Sequence, residues 1–201
     1  REVNAIAGRL SLRKPQTDSL QALARAIEAS PLVLKHDRDS AELADVLKVL
    51  QGQFGTLKDF ERDFPSLCFA LATGVGKTRL MGAFISYLHA AYGYKHFFVL
   101  APNLTIYDKL IRDFSDTTGP KYVFKGIADF AVEAPEVITG ETYEQKGDLV
   151  SQAIDAPAQI NIFNISKINS EVRGGKAPKI KRLSEYLGQS YFEYLAGLPD
   201  L

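Results

Sequence analysis

Residues 71–78 have the residue types and spacing of a phosphate-binding loop. They read Leu-Ala-Thr-Gly-Val-Gly-Lys-Thr, with two glycines two positions apart and a Lys-Thr pair directly after the second. Glycines let backbone N–H groups turn toward an anion without a Cβ clash, and a helix N-terminus adds partial positive charge. We therefore expect Lys77 to contact the β- and γ-phosphates of a nucleotide and the Thr78 hydroxyl to ligate Mg²⁺.

The segments on either side of the loop predict the elements that position it. Residues 67–70 are an apolar run, predicted to form a strand with Cys68 in the core, and residues 77–92 have an amphipathic helical pattern. A strand, a glycine turn and a helix in this order are typical of phosphate sites. The candidate cofactor-binding residues in and beside the loop are Thr73, Gly74, Val75, Gly76, Lys77, Thr78 and Arg79.

Hydrophobic periodicity predicts alternating strands and helices in the rest of the chain. Apolar runs without alternation predict buried strands, and apolar residues three and four apart predict amphipathic helices. The further predicted strands are 96–101, 121–127, 136–139 and 159–165. The further predicted helices are 15–29, 41–50, a helix that starts with a Thr105–Asp108 capping box, and 183–195. This alternation indicates an α/β fold with a mostly parallel sheet flanked by helices.

Length and composition fit one soluble domain of 201 residues with a helical insertion at about 30–64. No apolar run approaches the roughly 20 residues that span a bilayer, and one cysteine allows no internal disulfide, so we expect a cytoplasmic protein without membrane contact. Lysine plus arginine equals aspartate plus glutamate, 24 each, which leaves only local contacts for a nucleic acid. Since the chain begins with Arg1, we expect it to be part of a longer protein.

The loop departs from the common G-x-x-x-x-G-K-[ST] pattern, because Leu71 stands where the first glycine is expected. Its form, A-T-G-x-G-K-T, resembles motif I of superfamily-2 helicases and translocases. Upstream, Arg13-x-x-Gln16 resembles the adenine-reading motif of these motors, and a carboxamide can pair with the N6/N7 edge of adenine. Residues 99–104 resemble motif Ia, and residues 166–170 resemble the motif Ib region.

The chain thus resembles the first RecA-like lobe of a DEAD/DEAH-type helicase, similar to the motor subunit of type III restriction endonucleases. The resemblance implies a three-layer P-loop NTPase fold, ATP and Mg²⁺ as cofactors, and a second RecA-like lobe as partner. It implies a nucleic-acid-dependent helicase or translocase, with DNA favoured over RNA as the track. The residues that it implies for nucleic-acid contact are Pro102, Asn103, Thr105, Ser166 and Lys167.

Two other functions stay open at this point: a P-loop metabolic NTPase or kinase, and a nucleotide-gated scaffold without turnover. Motors of this family carry an Asp-Glu pair at a strand end, and residues 79–201 contain no such pair after an apolar run. We therefore expect those carboxylates beyond Leu201 and little ATPase activity from residues 1–201 alone. The basic residues between Arg173 and Arg182 suit either a phosphate backbone or plain solvation.

Overall fold

The computed structural model of the chain describes residues 1–35, 39–145, 156–165, 179–181 and 189–201. The chain divides into two compact units, Arg1–Phe84 and Ile85–Leu201, so that the boundary falls inside one helix. The first unit is helical and carries the glycine loop, and the second holds the sheet. None of the described helices is long and apolar enough to cross a membrane.

Helices form the first unit up to residue 53. They are α1 (Glu2–Arg9), α2 (Lys14–Ala29), a short 3-10 helix (Pro31–Leu34) and α3 (Ser40–Gln53). Asp39 starts α3 with a capping box: its carboxylate accepts the Glu42 N–H at 2.8 Å, and its own N–H donates to the Glu42 carboxylate at 3.1 Å. Residues 54–76 contain no regular element, and α4 (Lys77–Tyr92) follows the loop.

The segment between α2 and the glycine loop is held by an apolar cluster. Val46 and Leu50 on α3 are fully buried, and they pack with Ala26 of α2 and with Phe60. The predicted helix at 41–50 is therefore confirmed, and α3 has its buried side in the cluster it shares with α2. This cluster connects α2 to the chain that leads into the loop.

A parallel three-stranded sheet organises the second unit. Its strands are β1 (His96–Ala101), β2 (Glu136–Thr139) and β3 (Gln159–Asn164), in the order β1-β3-β2. Val99 lies opposite Ile162, and Ile138 lies opposite Asn161. All six residues of the central strand β3 are buried. Strand β1 was predicted to be buried on both faces, but that prediction is wrong: its residues alternate in burial, and Leu100 is 47% exposed.

Helices flank this sheet. They are α5 (Leu104–Ser115), α6 (Ala128–Val132), a 3-10 turn (Lys179–Lys181) and α7 (Tyr191–Ala196). An apolar cluster packs Tyr191 and Leu195 of α7 with Ile138 of β2 and Phe163 of β3. The Tyr191 hydroxyl also donates to Asn161 Oδ1 at 2.6 Å, so α7 is fixed to the central strand by a buried polar contact as well.

The end of the chain is attached to the start of β1. Burial would raise the pKa of Asp200, but hydrogen bonds from the Lys95 N–H at 2.9 Å and the His96 ring at 2.6 Å hold that pKa below its usual value. The carboxylate is therefore kept in its charged form at neutral pH. This contact joins residues more than one hundred positions apart.

Two predicted strands are wrong. Residues 67–70 pair with no described strand, and Cys68 is exposed instead of lying in the core. Residues 121–127 form turns. Tyr122 and Phe124 are buried there by packing on aromatic neighbours, without the ladder of backbone hydrogen bonds that a strand makes. Both segments have the apolar composition of a strand, but a strand also needs a neighbour for its backbone hydrogen bonds.

Three helices also differ from the prediction. The last one was predicted over 183–195, whereas α7 begins at Tyr191 with Ser190 as its N-cap, and residues 182–188 lie outside the described residues. Helix α5 begins at Leu104, and Asn103 caps it by accepting the Ile106 N–H at 2.9 Å, so the predicted Thr105–Asp108 capping box is wrong. Helix α1 was not predicted, because its eight residues contain a single buried apolar side chain, Ile6. The parallel α/β sheet with flanking helices is confirmed, and the three-layer RecA-like arrangement stays a prediction.

We predict that Leu50→Ala lowers the free energy of unfolding by about 2–5 kcal/mol, because it leaves a cavity in the cluster between α2 and α3. Val49→Ala is the matched control, since Val49 lies on the same helix and is 43% exposed. Urea denaturation of both variants checks the prediction. Equal midpoints for the two variants would contradict the packing described for Leu50.

Candidate functional site: the glycine loop

Two glycines give the loop its turn. Gly74 has φ of +81° and Gly76 has φ of +96°, in the left-handed region that other residues rarely adopt. At Gly76 a second restriction applies, because an added Cβ would lie 2.7 Å from Gln16 Nε2. The left-handed backbone therefore favours glycine at both positions, and at Gly76 the Gln16 side chain adds a steric restriction.

Helix α4 begins directly at the end of this turn. The Gly76 carbonyl accepts the first helical hydrogen bond, from the Leu80 N–H at 3.2 Å, so the first-turn N–H groups of α4 lie at the loop. Lys77 is exposed and makes no hydrogen bond or ion pair with any described residue. Lys77 is the first residue of α4, so its positive charge and the positive end of the helix dipole both favour an anion at this helix N-terminus.

Gln16 is the buried partner of the loop. Its side chain is 2% exposed, and Nε2 donates to the Gly76 carbonyl at 2.8 Å. Its Oε1 accepts the N–H of Arg13 at 2.8 Å, which is the N3 half of a capping box at the start of α2. A carboxamide has two N–H donors and two oxygen lone pairs, so these two bonds use half of its capacity.

Two arginines add hydrogen bonds between residues 10–16 and residues 74–79. Arg13 Nη1 lies 3.4 Å from the Gly74 carbonyl, and Arg79 Nη1 donates to the Leu10 carbonyl at 2.9 Å. The structure therefore brings Arg13, Gln16 and Arg79 together with the loop, although residues 10–16 and 74–79 are about sixty positions apart. Thr73 is exposed, whereas Val75 and Thr78 are half-buried.

The predicted nucleic-acid residues lie at the carboxyl end of β1. Pro102, Asn103 and Thr105 are exposed there, and the Asn103 side chain uses its oxygen to cap α5. Its Nδ2 group has no partner among the described residues, so it can still donate to an outside acceptor. Ser166 and Lys167 lie outside the described residues.

Sequence reasoning missed a polar group at the carboxyl end of strand β2. The Tyr107 hydroxyl donates to the Glu141 carboxylate and accepts the Gly140 N–H at 3.1 Å. Burial, followed by the hydrogen bond to Glu141, raises the pKa of Tyr107 to about 12. The signal was a Gly-Glu pair directly after a predicted strand, but nothing local points to a tyrosine on α5.

Within the part of the chain that the structure describes, no cluster of metal ligands is evident. The described residues contain no group of three histidine, cysteine, aspartate or glutamate side chains placed to hold a metal ion. The side-chain oxygens of the loop are the Thr73 and Thr78 hydroxyls, and a hydroxyl is a ligand that Mg²⁺ accepts. Thr78, the one predicted to ligate Mg²⁺, lies at the start of α4.

A glycine turn at a helix N-terminus, an exposed lysine beside it and a parallel sheet flanked by helices define this chain as an α/β protein with a candidate phosphate loop. The family model described as "Type III restriction enzyme, res subunit" matches residues 9–195. The chain therefore belongs to that family, a family of helicase-like restriction-system motors, and the resemblance stated from motif I is confirmed.

One curated relative matches part of the chain. The "Probable type III restriction-modification enzyme HindVIP Res subunit" of Haemophilus influenzae is 41% identical over 71 residues. These residues make up 34% of this chain and 14% of that protein, so the chain corresponds to a small part of its relative. No solved structure matches the chain.

We predict that Tyr107→Phe lowers the free energy of unfolding by about 1–3 kcal/mol, because the Gly140 N–H and the Glu141 carboxylate lose their common partner. Tyr194→Phe is the matched control, since the hydroxyl of Tyr194 makes no hydrogen bond with the described residues while its ring stacks on Tyr191. Denaturant midpoints of both variants test this. If the two variants are equally stable, the Tyr107 network does not hold the end of β2.

Proposed function

We propose that this chain is the ATP-binding lobe of a nucleic-acid-dependent motor of the type III restriction class. The observation that carries the proposal is the exposed Lys77 at the start of α4, directly after the two left-handed glycines. Membership of the Res subunit family supports the same function. The motor hydrolyses ATP with Mg²⁺ and uses the energy to move along DNA.

The chemistry assigned to the loop is phosphate binding. First-turn N–H groups of α4 and the Lys77 ammonium hold the β- and γ-phosphates, and the Thr78 hydroxyl holds Mg²⁺. When bound, Mg²⁺ neutralises negative charge on the phosphate oxygens. Thr73, Gly74, Val75 and Gly76 form the wall of this site.

Two arginines and one glutamine complete the proposed nucleotide site. Arg13 contacts the wall at the Gly74 carbonyl, and Arg79 on α4 donates to the Leu10 carbonyl. Gln16 keeps one N–H and one lone pair that its bonds to Gly76 and Arg13 do not use, and these match adenine N7 and N6. Since Gln16 is 2% exposed, contact with the base requires its outer side to open when ATP binds.

The proposed DNA contacts lie on the second unit. Pro102, Asn103 and Thr105 are exposed where β1 passes into α5, and the N-terminus of α5 offers backbone N–H groups. Such groups and the Asn103 amide suit phosphate oxygens, which position a strand without reading its sequence. Ser166 and Lys167 are assigned to the same contact from the sequence alone. The zero net charge of the chain agrees with a contact of this local kind.

We predict that Lys77→Ala abolishes DNA-stimulated ATPase activity in the full-length protein and weakens ATP binding at least about tenfold, because no other described charge at the loop is free to replace it. Lys48→Ala is the matched control, since Lys48 is exposed on α3 and its removal changes the net charge equally.

The measurement is calorimetric ATP binding together with ATPase activity with and without DNA. ATP binding by Lys77→Ala at the strength of the wild type would refute the phosphate assignment. ATPase activity of the wild type that DNA leaves unchanged would favour a metabolic NTPase, and ATP binding without any hydrolysis would favour a scaffold.

A further inference from the structure

The hydrogen bond from Gln16 to Gly76 has a second consequence, which does not involve the base. We infer that Gln16 is a positioning residue for the phosphate loop: its Nε2 holds the Gly76 carbonyl and thereby fixes the loop in the form that polyphosphate binds. This inference rests on the proposed function, because it assumes that the loop binds phosphate. It assigns to Gln16 a role that would remain if the ligand had no adenine.

The peptide unit between Gly76 and Lys77 is the mechanical link. A trans peptide is planar, and its C=O and N–H point in opposite directions. Since Gln16 Nε2 holds the Gly76 carbonyl at 2.8 Å, the Lys77 N–H must point away from Gln16. That N–H is the first of helix α4, one of the donors that an anion at the helix N-terminus uses.

Glycine at position 76 makes this link necessary. A left-handed glycine has a wide choice of backbone conformations, so its peptide would be less well fixed without an outside contact. The Gly76 carbonyl accepts two hydrogen bonds, one from Leu80 N–H in α4 and one from Gln16. The first belongs to the helix, and the second ties the peptide to a different segment of the chain.

A carboxamide at position 16 is the group that this geometry requires. Its oxygen is fixed by the Arg13 N–H and its nitrogen by the Gly76 carbonyl, so the orientation of the amide is set from both ends. A glutamate would keep the first bond and lose the second, because a carboxylate cannot donate. Since the side chain is 2% exposed, water cannot easily replace the lost donor.

The test uses magnesium tripolyphosphate, which has the phosphates of ATP and no base, with the full-length protein. We expect Gln16→Met, a neutral replacement of similar length, to weaken tripolyphosphate binding about 2- to 10-fold, the range for the loss of one neutral hydrogen bond. Glu193→Met is the control. It removes the same N3 capping bond from α7, where the Ser190 N–H donates to Glu193 at 2.9 Å, and we expect it to leave tripolyphosphate binding unchanged.

Four outcomes would overturn the inference or its basis, and they can be told apart. Unchanged tripolyphosphate binding by Gln16→Met, with weakened ATP binding, would restrict Gln16 to the base. A fall in melting temperature alone, as in Glu193→Met, would make Gln16 a helix cap only. If Gln16→Met does not fold, Gln16→Glu keeps the capping bond, and wild-type affinity in that variant refutes the inference. A wild-type protein that binds neither tripolyphosphate nor ATP would instead refute the proposed function.

Discussion

The planar peptide after Gly76 is the constraint on which the loop region of the structure depends. Its carbonyl closes the first turn of α4 and receives the buried carboxamide of Gln16, while its N–H begins the donor end of the helix. The same Gln16 starts α2, and α2 packs on α3 through Ala26. The loop, which we propose binds an anion, is therefore supported by buried contacts that involve Gln16 and α2.

Local pattern was sufficient where an apolar run or a helical period is clear. Strands β1, β2 and β3 and helices α3 and α4 follow from such runs and periods. Residues 67–70 and 121–127 also contain apolar runs but pair with no described strand, and a strand is defined by its neighbour as much as by itself. Composition cannot say where that neighbour is, so these two predictions were wrong.

Some features of the candidate site could likewise be predicted from the sequence, and others could not. The loop could be predicted because glycine spacing and a Lys-Thr pair report a backbone shape directly. The bonds of Gln16 and Arg79 to segments sixty or more positions away have no local signal, and neither has the Tyr107 hydroxyl at the end of β2. The resemblance of Arg13-x-x-Gln16 to the adenine-reading motif assigned Gln16 to the nucleotide but gave no indication that the Gly76 carbonyl would hold its amide.

The two glycines of the loop differ in how much change their surroundings would accept. Around Gly74 an added Cβ would meet nothing within 4 Å, so the left-handed backbone is its sole restriction. Asparagine adopts that conformation more readily than other residues with a side chain, and natural variants of this chain can be expected to carry asparagine at position 74. At position 76 both the backbone and the Gln16 amide exclude a side chain. Natural variants should therefore differ in the residue at position 74 and keep glycine at position 76.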